Sequence, residues 1–143
     1  MTEVTIRQHI AAPPSTVYSY LTESDRWAQW QGASASLDAT PGGIFSMVMG
    51  NGMNARGQFV ELVPGKRVVF TWGWVDRPGI PPGSTTVAIE LSGDDDGTLL
   101  VLTHREISVD EADLQKMGWN HYLPRLALVA AGEDPGPDVG PGG

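Results

Sequence analysis

The sequence of 143 residues contains no cysteine. It therefore cannot form a disulfide bond, supply a thiolate nucleophile or bind a metal ion through sulfur. Histidine is also scarce, with three in the chain, and these histidines do not have the spacing of metal ligands. We therefore expect neither a bound metal ion nor any other cofactor.

Basic residues are few. Lysine and arginine number 9 against 17 aspartate and glutamate residues, which gives a net charge of −8. A nucleic-acid-binding surface needs cations to neutralise phosphates, and anionic lipids attract basic segments. The charge balance therefore argues against both kinds of partner, and we interpret the negative charge as an aid to solubility.

Long apolar runs are missing as well. No stretch of the sequence approaches the roughly 18 apolar residues that a membrane-spanning helix needs. The N-terminal residues lack the basic and apolar regions of a signal peptide. These absences predict a cytoplasmic protein with no membrane partner.

Several signatures of catalysis are absent. No glycine-rich phosphate loop follows a predicted strand, and the G-x-S-x-G motif does not occur. The three aspartates at 94–96 are consecutive, whereas calcium ligands alternate along a loop, so we expect them to form a solvated turn. These observations favour a protein that is not an enzyme.

The chain does contain enough apolar material for one folded domain. Its hydrophobic content is 41% and it has five tryptophans, which is typical of a globular protein. We assign residues 1–132 to a single domain. Residues 133–143 hold three prolines and four glycines, and we expect this tail to be disordered.

The first quarter of the chain predicts one strand and two short helices. Alternating apolar residues indicate a strand from about Glu3 to Ile10. Pro13 ends this strand and is compatible with the start of a helix that runs to about Thr22. A second short helix is expected to hold Trp27 and Trp30, which lie three apart and so share a face.

The remainder predicts several strands followed by one long helix. A Gly-Asn-Gly hairpin signal at 50–52 and a loop rich in proline and glycine at 77–83 separate the strands. The helix is expected from about Asp110 to Gly132, and Pro124 should kink or interrupt it near Asn120. The strands are predicted near 44–49, 54–63, 67–75, 87–91 and 100–104.

Together these patterns predict an α+β fold. A curved antiparallel sheet of about six to seven strands would wrap around the long C-terminal helix, with two short helices after strand 1. We expect a cavity between sheet and helix that binds a small hydrophobic or aromatic molecule without catalysis; alternatively, the same side chains simply fill the core. The residues assigned to the ligand site are Phe45, Met47, Met49, Phe70, Trp72, Trp74, Leu102, His104, Trp119 and Tyr122.

Two polar members of this set could orient a guest. His104 shares the inward face of its strand with Leu100 and Leu102, and Tyr122 lies on the helix. A structural, hydrogen-bonded histidine is the alternative for His104. Glu106 follows two residues later and is predicted to point to the same side of the strand. Such a pair would support a second hypothesis, a cyclase- or hydrolase-type enzyme that uses the same cavity. The favoured alternative places Glu106 in water at the strand end.

Short motifs in a characteristic order also link the chain to a known superfamily. They are Pro13 to Leu21, Trp30, Pro41 to Phe45, Gly57 to Glu61, Val69 to Trp72, Leu100 to His104, and Gly118-Trp119. Over residues 3–132 this order resembles the START-like, Bet v 1-like helix-grip superfamily, also called SRPBCC. The chain looks most like the branch named after the activator of the ninety-kilodalton heat-shock chaperone's ATPase.

The resemblance implies the helix-grip fold, and the superfamily includes both carriers of small molecules and enzymes. The branch name adds a third hypothesis, in which the chain is a chaperone-binding or other protein-interaction module. A homodimer is compatible with all three hypotheses, and the sequence does not decide it.

Overall fold

A computed structural model describes residues 2–49 and 52–137 of the chain. Within them, seven strands form one antiparallel sheet accompanied by two short helices and one long helix. The predicted fold class is therefore confirmed. The strands are β1 (Thr2–Ile10), β2 (Ser34–Leu37), β3 (Ile44–Val48), β4 (Asn54–Val63), β5 (Arg67–Trp72), β6 (Thr85–Asp94) and β7 (Gly97–Ile107). The helices are α1 (Pro14–Thr22), α2 (Ser24–Trp27) and α3 (Val109–Ala130).

The topology places the long helix over the inner face of the sheet. The strand order is β1-β7-β6-β5-β4-β3-β2, so the first strand of the chain pairs with the last. Helices α1 and α2 connect β1, at one edge, to β2, at the other. Helix α3 follows β7 and returns across the inner face, where the ring of Trp119 lies 5.3 Å from that of Trp72.

Strand β2 was not predicted from the sequence. Its four residues, Ser-Ala-Ser-Leu, are mostly small or polar and give no strong alternation. In the structure, Ala35 lies opposite Met47 and Leu37 opposite Phe45 on β3. The strand is therefore set by pairing with its neighbour, which local sequence does not reveal.

Strand β5 ends at Trp72, three residues earlier than predicted. Gly73 follows, and a Cβ atom there would lie 1.8 Å from the carbonyl oxygen of Pro81. The chain has already begun the loop to β6 at this point, and only a residue without a side chain permits so close an approach. Two residues of the predicted hairpin signal, Gly50 and Asn51, lie outside the described residues.

Helix α3 is continuous through its proline. Ser108, rather than Asp110, is the residue at its N-terminal cap. The helix contains Pro124 and runs on to Ala130, so the interruption predicted near Asn120 does not occur. Among the described residues, no helix combines the length and the apolar content needed to cross a membrane.

The core lies between the inner face of the sheet and the three helices. Its centre is aromatic, and full burial of each such side chain contributes about 1.5–3 kcal/mol to stability. The indole nitrogens of the two helix-associated tryptophans are satisfied: Trp27 donates to Gln31 Oε1 at 3.1 Å and Trp30 to the Tyr20 carbonyl at 3.0 Å. The fully buried aromatic residues are Trp27, Trp30, Phe45, Phe59, Phe70 and Trp72.

Arg125 of α3 holds the segment that follows the helix. Its guanidinium donates to the carbonyls of Trp30, Pro135 and Gly136, each at 3.1 Å. This arginine is half-buried, and all of these partners are backbone atoms. The rest of the predicted tail, residues 138–143, lies outside the described residues.

Gly57 permits a close approach between β4 and β5. A Cβ atom at this position would lie 1.8 Å from the carbonyl oxygen of Thr71, a backbone atom of the neighbouring strand. The regular pairing of the two strands stops nearby, because Phe59 opposite Phe70 is the last regular pair at this end.

Replacing Gly57 with alanine should therefore force the strands apart. We expect Gly57→Ala to lower the free energy of unfolding by about 2–4 kcal/mol, measured by urea denaturation. The matched control is Gly118→Ala in α3, where an added Cβ has nothing within 4 Å and helix propensity favours alanine by up to about 1 kcal/mol. Equal stability of Gly57→Ala and the wild type would contradict this account.

Candidate functional site

The ten residues assigned to the ligand site lie on the inner face of the sheet and the facing side of α3, or at the rim of that interior. Nine are buried, and Trp74, at the start of the loop after β5, is partly buried. Met49 and Tyr122, at 5% and 7% exposed, lie nearest the surface among the nine. The structure thus brings the set together around one interior.

Several of these side chains contact one another directly. The rings of Phe45 and Phe70 stack with centroids 4.8 Å apart, and Trp72 lies 5.5 Å from Phe45. Trp27, which the sequence did not assign to the site, packs edge-on against Phe45 at 5.1 Å. Its helical spacing from Trp30 was the signal that could have placed it here. Much of the predicted cavity wall is thus in contact with other side chains.

A chain of hydrogen bonds connects α3 to three strands through His104. The indole N–H of Trp119 donates to His104 Nδ1 at 3.0 Å. Since Nδ1 accepts, the neutral ring carries its proton on Nε2, which donates to Thr85 Oγ1 at 2.8 Å. The Thr85 hydroxyl in turn donates to the carbonyl of Trp72 at 2.7 Å. Both ring nitrogens of His104 are thus occupied within the protein.

Burial keeps His104 neutral. The side chain is fully enclosed, and its desolvation lowers the pKa of His104 from 6.5 to about 3. Protonation of Nδ1 would also bring two N–H groups face to face, because the Nδ1 lone pair is the acceptor for the Trp119 N–H. This residue is therefore a structural histidine at neutral pH, the alternative considered from the sequence.

His104 does not pair with Glu106, which is exposed near the end of its strand, as the alternative from the sequence predicted. Glu106 has a left-handed backbone conformation, with φ of 65°, and its side chain is exposed. Its carboxylate lies 3.4 Å from the Thr86 hydroxyl, on the outer face of the sheet. The irregularity breaks the strand's alternation, so a residue two positions after His104 does not share its side. The proposed acid–base pair is not assembled.

Two indole nitrogens at one end of the interior lack partners. Trp72 Nε1 and Trp74 Nε1 are both buried without a hydrogen-bond acceptor among the described residues. The two rings are in contact at right angles, with centroids 5.5 Å apart. A buried donor left unpaired costs about 1–3 kcal/mol, so native proteins nearly always satisfy such groups. An acceptor atom placed at this end of the interior would therefore stabilise the structure.

The loop between β5 and β6, residues 73–84, covers this end. Ile80 at its centre is fully buried, and the backbone N–H of Trp74 donates to the Ile80 carbonyl at 2.8 Å. Arg77 makes two hydrogen bonds of 2.7 Å to the carboxylate of Glu111 in the first turn of α3. The loop is thus fastened to the helix directly beside the unpaired indoles.

Two surface depressions lie away from the interior. One, of about 640 Å³, is on the outer face of β3, β4 and β5, and the other, of about 490 Å³, lies between Tyr20 and the segment after α3. Neither is lined by any of the ten predicted ligand-site residues. Within residues 2–49 and 52–137, no group of three or more potential ligand side chains is arranged to hold a metal ion.

The depressed pKa of His104 predicts how stability depends on pH. Between pH 6.5 and pH 3 the unfolded chain binds more protons at this residue than the folded chain. The stability due to neutral His104 is therefore complete above pH 6.5 and is lost as the pH falls toward 3. We expect the stability difference between wild type and His104→Gln to shrink by about 2 kcal/mol from pH 7 to pH 5, measured by urea denaturation.

Thr98→Val serves as the control, because it removes a buried hydrogen bond, from the Thr98 hydroxyl to the Ala12 carbonyl at 2.7 Å, without removing a titratable group. Its difference from the wild type should change little over the same pH range. A pH-independent difference for His104→Gln would show that His104 keeps an ordinary pKa in the folded protein.

Solved structures match this fold over nearly the whole chain. An AHSA1-like protein from Rhizobium etli is 39% identical, with a TM-score of 0.75 over 96% of this chain and 87% of that one. The Aha1 dimer from Colwellia psychrerythraea is 20% identical, with a TM-score of 0.80 over 92% of this chain and 97% of that one. The second likeness shows the fold alone.

The amino-acid sequence is also similar to that of a human protein. Activator of 90 kDa heat shock protein ATPase homolog 1 is 30% identical over 121 residues, which are 84% of this chain and 34% of the human protein. The chain thus spans about a third of the length of that relative. The family model described as activator of Hsp90 ATPase homolog 1-like protein matches residues 11–131. The chain therefore belongs to the AHSA1 family, whose members are described as activator of Hsp90 ATPase homolog 1-like proteins.

Proposed function

We propose that the chain is a cytoplasmic, non-catalytic binding protein for a small apolar or aromatic molecule that carries a hydrogen-bond acceptor. The observation that carries the proposal is the pair of buried, unpaired indole nitrogens of Trp72 and Trp74. An acceptor oxygen on a guest would remove the cost of leaving these donors unsatisfied. The surrounding aromatic and methionine side chains would bury its apolar body.

Entry to this site requires the 73–84 loop to move. Ile80 is fully buried beneath the loop, and the Arg77–Glu111 pair fastens the loop to α3. The backbone N–H of Trp74 donates to the Ile80 carbonyl, so Trp74 belongs to the same loop arrangement. The guest would replace the Ile80 side chain or share the space that it leaves when the loop opens.

The contacts of His104 favour binding over turnover. Both of its ring nitrogens are already bonded, its pKa is lowered to about 3, and Glu106 lies on the opposite face of the sheet. A general base needs an accessible lone pair and a pKa near the working pH. In this proposal the indoles of Trp72 and Trp74 orient the guest, in place of His104 or Tyr122.

Chaperone binding is the second candidate, favoured by the 30% identity with the human ATPase activator over 84% of this chain. A feature of α3 fits a protein partner. Leu114 and Met117 lie three apart on the helix and are 44% and 46% exposed. Exposed apolar side chains grouped on one face often mark an interaction surface. The same face could also serve a homodimer.

Two matched probes test the small-molecule proposal. 2-Acetonaphthone carries a carbonyl acceptor, and 2-ethylnaphthalene has a similar shape without one. We expect both to quench tryptophan fluorescence saturably, with the ketone binding about fivefold more tightly, since one hydrogen bond contributes about 1 kcal/mol. In the double variant Trp72→Phe/Trp74→Phe, which removes both unpaired donors, this preference should disappear.

The control variant is Trp30→Phe, which removes an indole N–H that is already bonded within the protein. It should keep the preference for the ketone. Absence of saturable binding of either probe to the wild type would refute the proposal. Equal binding of both probes to the wild type would refute the role of the indoles.

The chaperone candidate is tested by adding the purified chain to a 90 kDa heat shock protein and measuring its ATPase rate. If the candidate is correct, the rate should rise with chain concentration and saturate. Met117→Ser should weaken this effect severalfold, because it removes apolar contact area, whereas Val60→Ser, at an exposed apolar residue of β4, should not. An unchanged rate, with no binding by calorimetry, would exclude the candidate. Light scattering on the same sample measures whether the chain dimerises.

A further inference from the structure

The 640 Å³ depression on the outer face of the sheet has the dimensions of a ligand site. Ligand pockets typically enclose roughly 300–1,000 Å³. The depression lies across β3, β4 and β5 and reaches the end of the loop before β6. We call it the outer groove, and it is lined by Ile44, Ser46, Arg56, Gly57, Gln58, Thr71, Pro82 and Gly83.

The outer groove lies where the regular pairing of β4 and β5 is interrupted. Beyond the pair of Phe59 and Phe70, the backbone N–H of Gln58 donates to the hydroxyl of Thr71 at 2.8 Å and not to a backbone carbonyl. Gly57 and Gly83, which both line the groove, have no side chains that could project into it. Since the close approach of the two backbones requires glycine at 57, the floor of the groove is a fixed feature of the sheet.

One wall of the groove is apolar. Ile44 is 63% exposed, which is unusual for a large β-branched side chain. Pro82 contributes to the lining from the loop. An exposed apolar wall beside a concave floor gains free energy when an apolar ligand covers it.

The groove also contains a cation. Arg56 lies opposite Ser46 in the β3–β4 pairing, with both side chains on the outer face. Within residues 2–49 and 52–137, no ion pair or hydrogen bond is formed by the Arg56 guanidinium. In contrast, Arg67 is paired with Glu61 and Glu90 on the same sheet. A guanidinium without a protein partner is well suited to a carboxylate, which it can bind through two parallel hydrogen bonds.

We propose that the outer groove binds a small amphipathic carboxylate. Its charged oxygens pair with Arg56, and its apolar body lies against Ile44 and Pro82. The volume suits a small molecule. Because the chain as a whole is negatively charged, the attraction for an anion comes mainly from a local cation. This site is separate from the interior site, because the sheet lies between them.

NMR titration of the 15N-labelled chain with 2-naphthoate tests the proposal. We expect saturable shifts at the backbone amides of Ser46, Gly57 and Gly83. We expect no matching shifts at the indole N–H groups of Trp72 and Trp74, because burying a carboxylate charge in the apolar interior is unfavourable. The neutral analogue 2-naphthalenemethanol should bind at least tenfold more weakly. These readouts distinguish the outer groove from the interior, so either proposal can fail alone.

Two variants complete the experiment. Arg56→Gln should weaken 2-naphthoate binding at least tenfold, while Arg105→Gln, which removes another exposed arginine on the sheet, should leave it unchanged. An equal loss of affinity in both variants would mean that surface cations attract the anion without a specific site, and would overturn the proposal. Shifts confined to the indoles, or no saturable shifts at all, would overturn it as well.

Discussion

The buried hydrogen-bond chain from Trp119 through His104 and Thr85 to the Trp72 carbonyl sets the position of the long helix on the sheet. Each group in it satisfies the next, so no member can move alone without leaving a buried donor or acceptor unpaired. Hydrophobic packing is non-directional and would tolerate several helix positions. The chain of directional bonds selects one of them.

This constraint also explains where the interior is saturated and where it is not. Both ring nitrogens of His104 and the Thr85 hydroxyl have partners, and the rings of Trp72 and Trp119 nearby are in contact. The indole nitrogens of Trp72 and of Trp74, at the start of the loop, have no acceptor among the described residues. The interior thus has a satisfied end that stabilises the fold and an unsatisfied end next to the 73–84 loop. A guest bound at the second end would not have to break hydrogen bonds that the protein already makes, so binding there costs the fold least stability.

The sequence was sufficient for the architecture, because alternation in strands such as Asn54–Val63 and the helical spacing of Trp119, Leu123 and Leu126 are local signals. It failed where structure depends on contacts distant along the chain. β2 is ordered by its partner β3, and Glu106 is turned outward by a backbone irregularity near the strand end. The inward set was recognisable as apolar, yet whether its members enclose space or fill it depends on Trp27, which comes from a different element.

The two faces of the sheet are under different physical demands. On β4, Ala55 and Phe59 are buried in the shared core, where a change of volume costs stability. Arg56 and Gln58 alternate with them and face outward, where most substitutions change stability by less than about 0.5 kcal/mol. Members of one family can therefore keep the same core and acquire different outer surfaces. Family membership consequently defines the interior of this chain better than its outer groove, where function can vary at little cost to the fold.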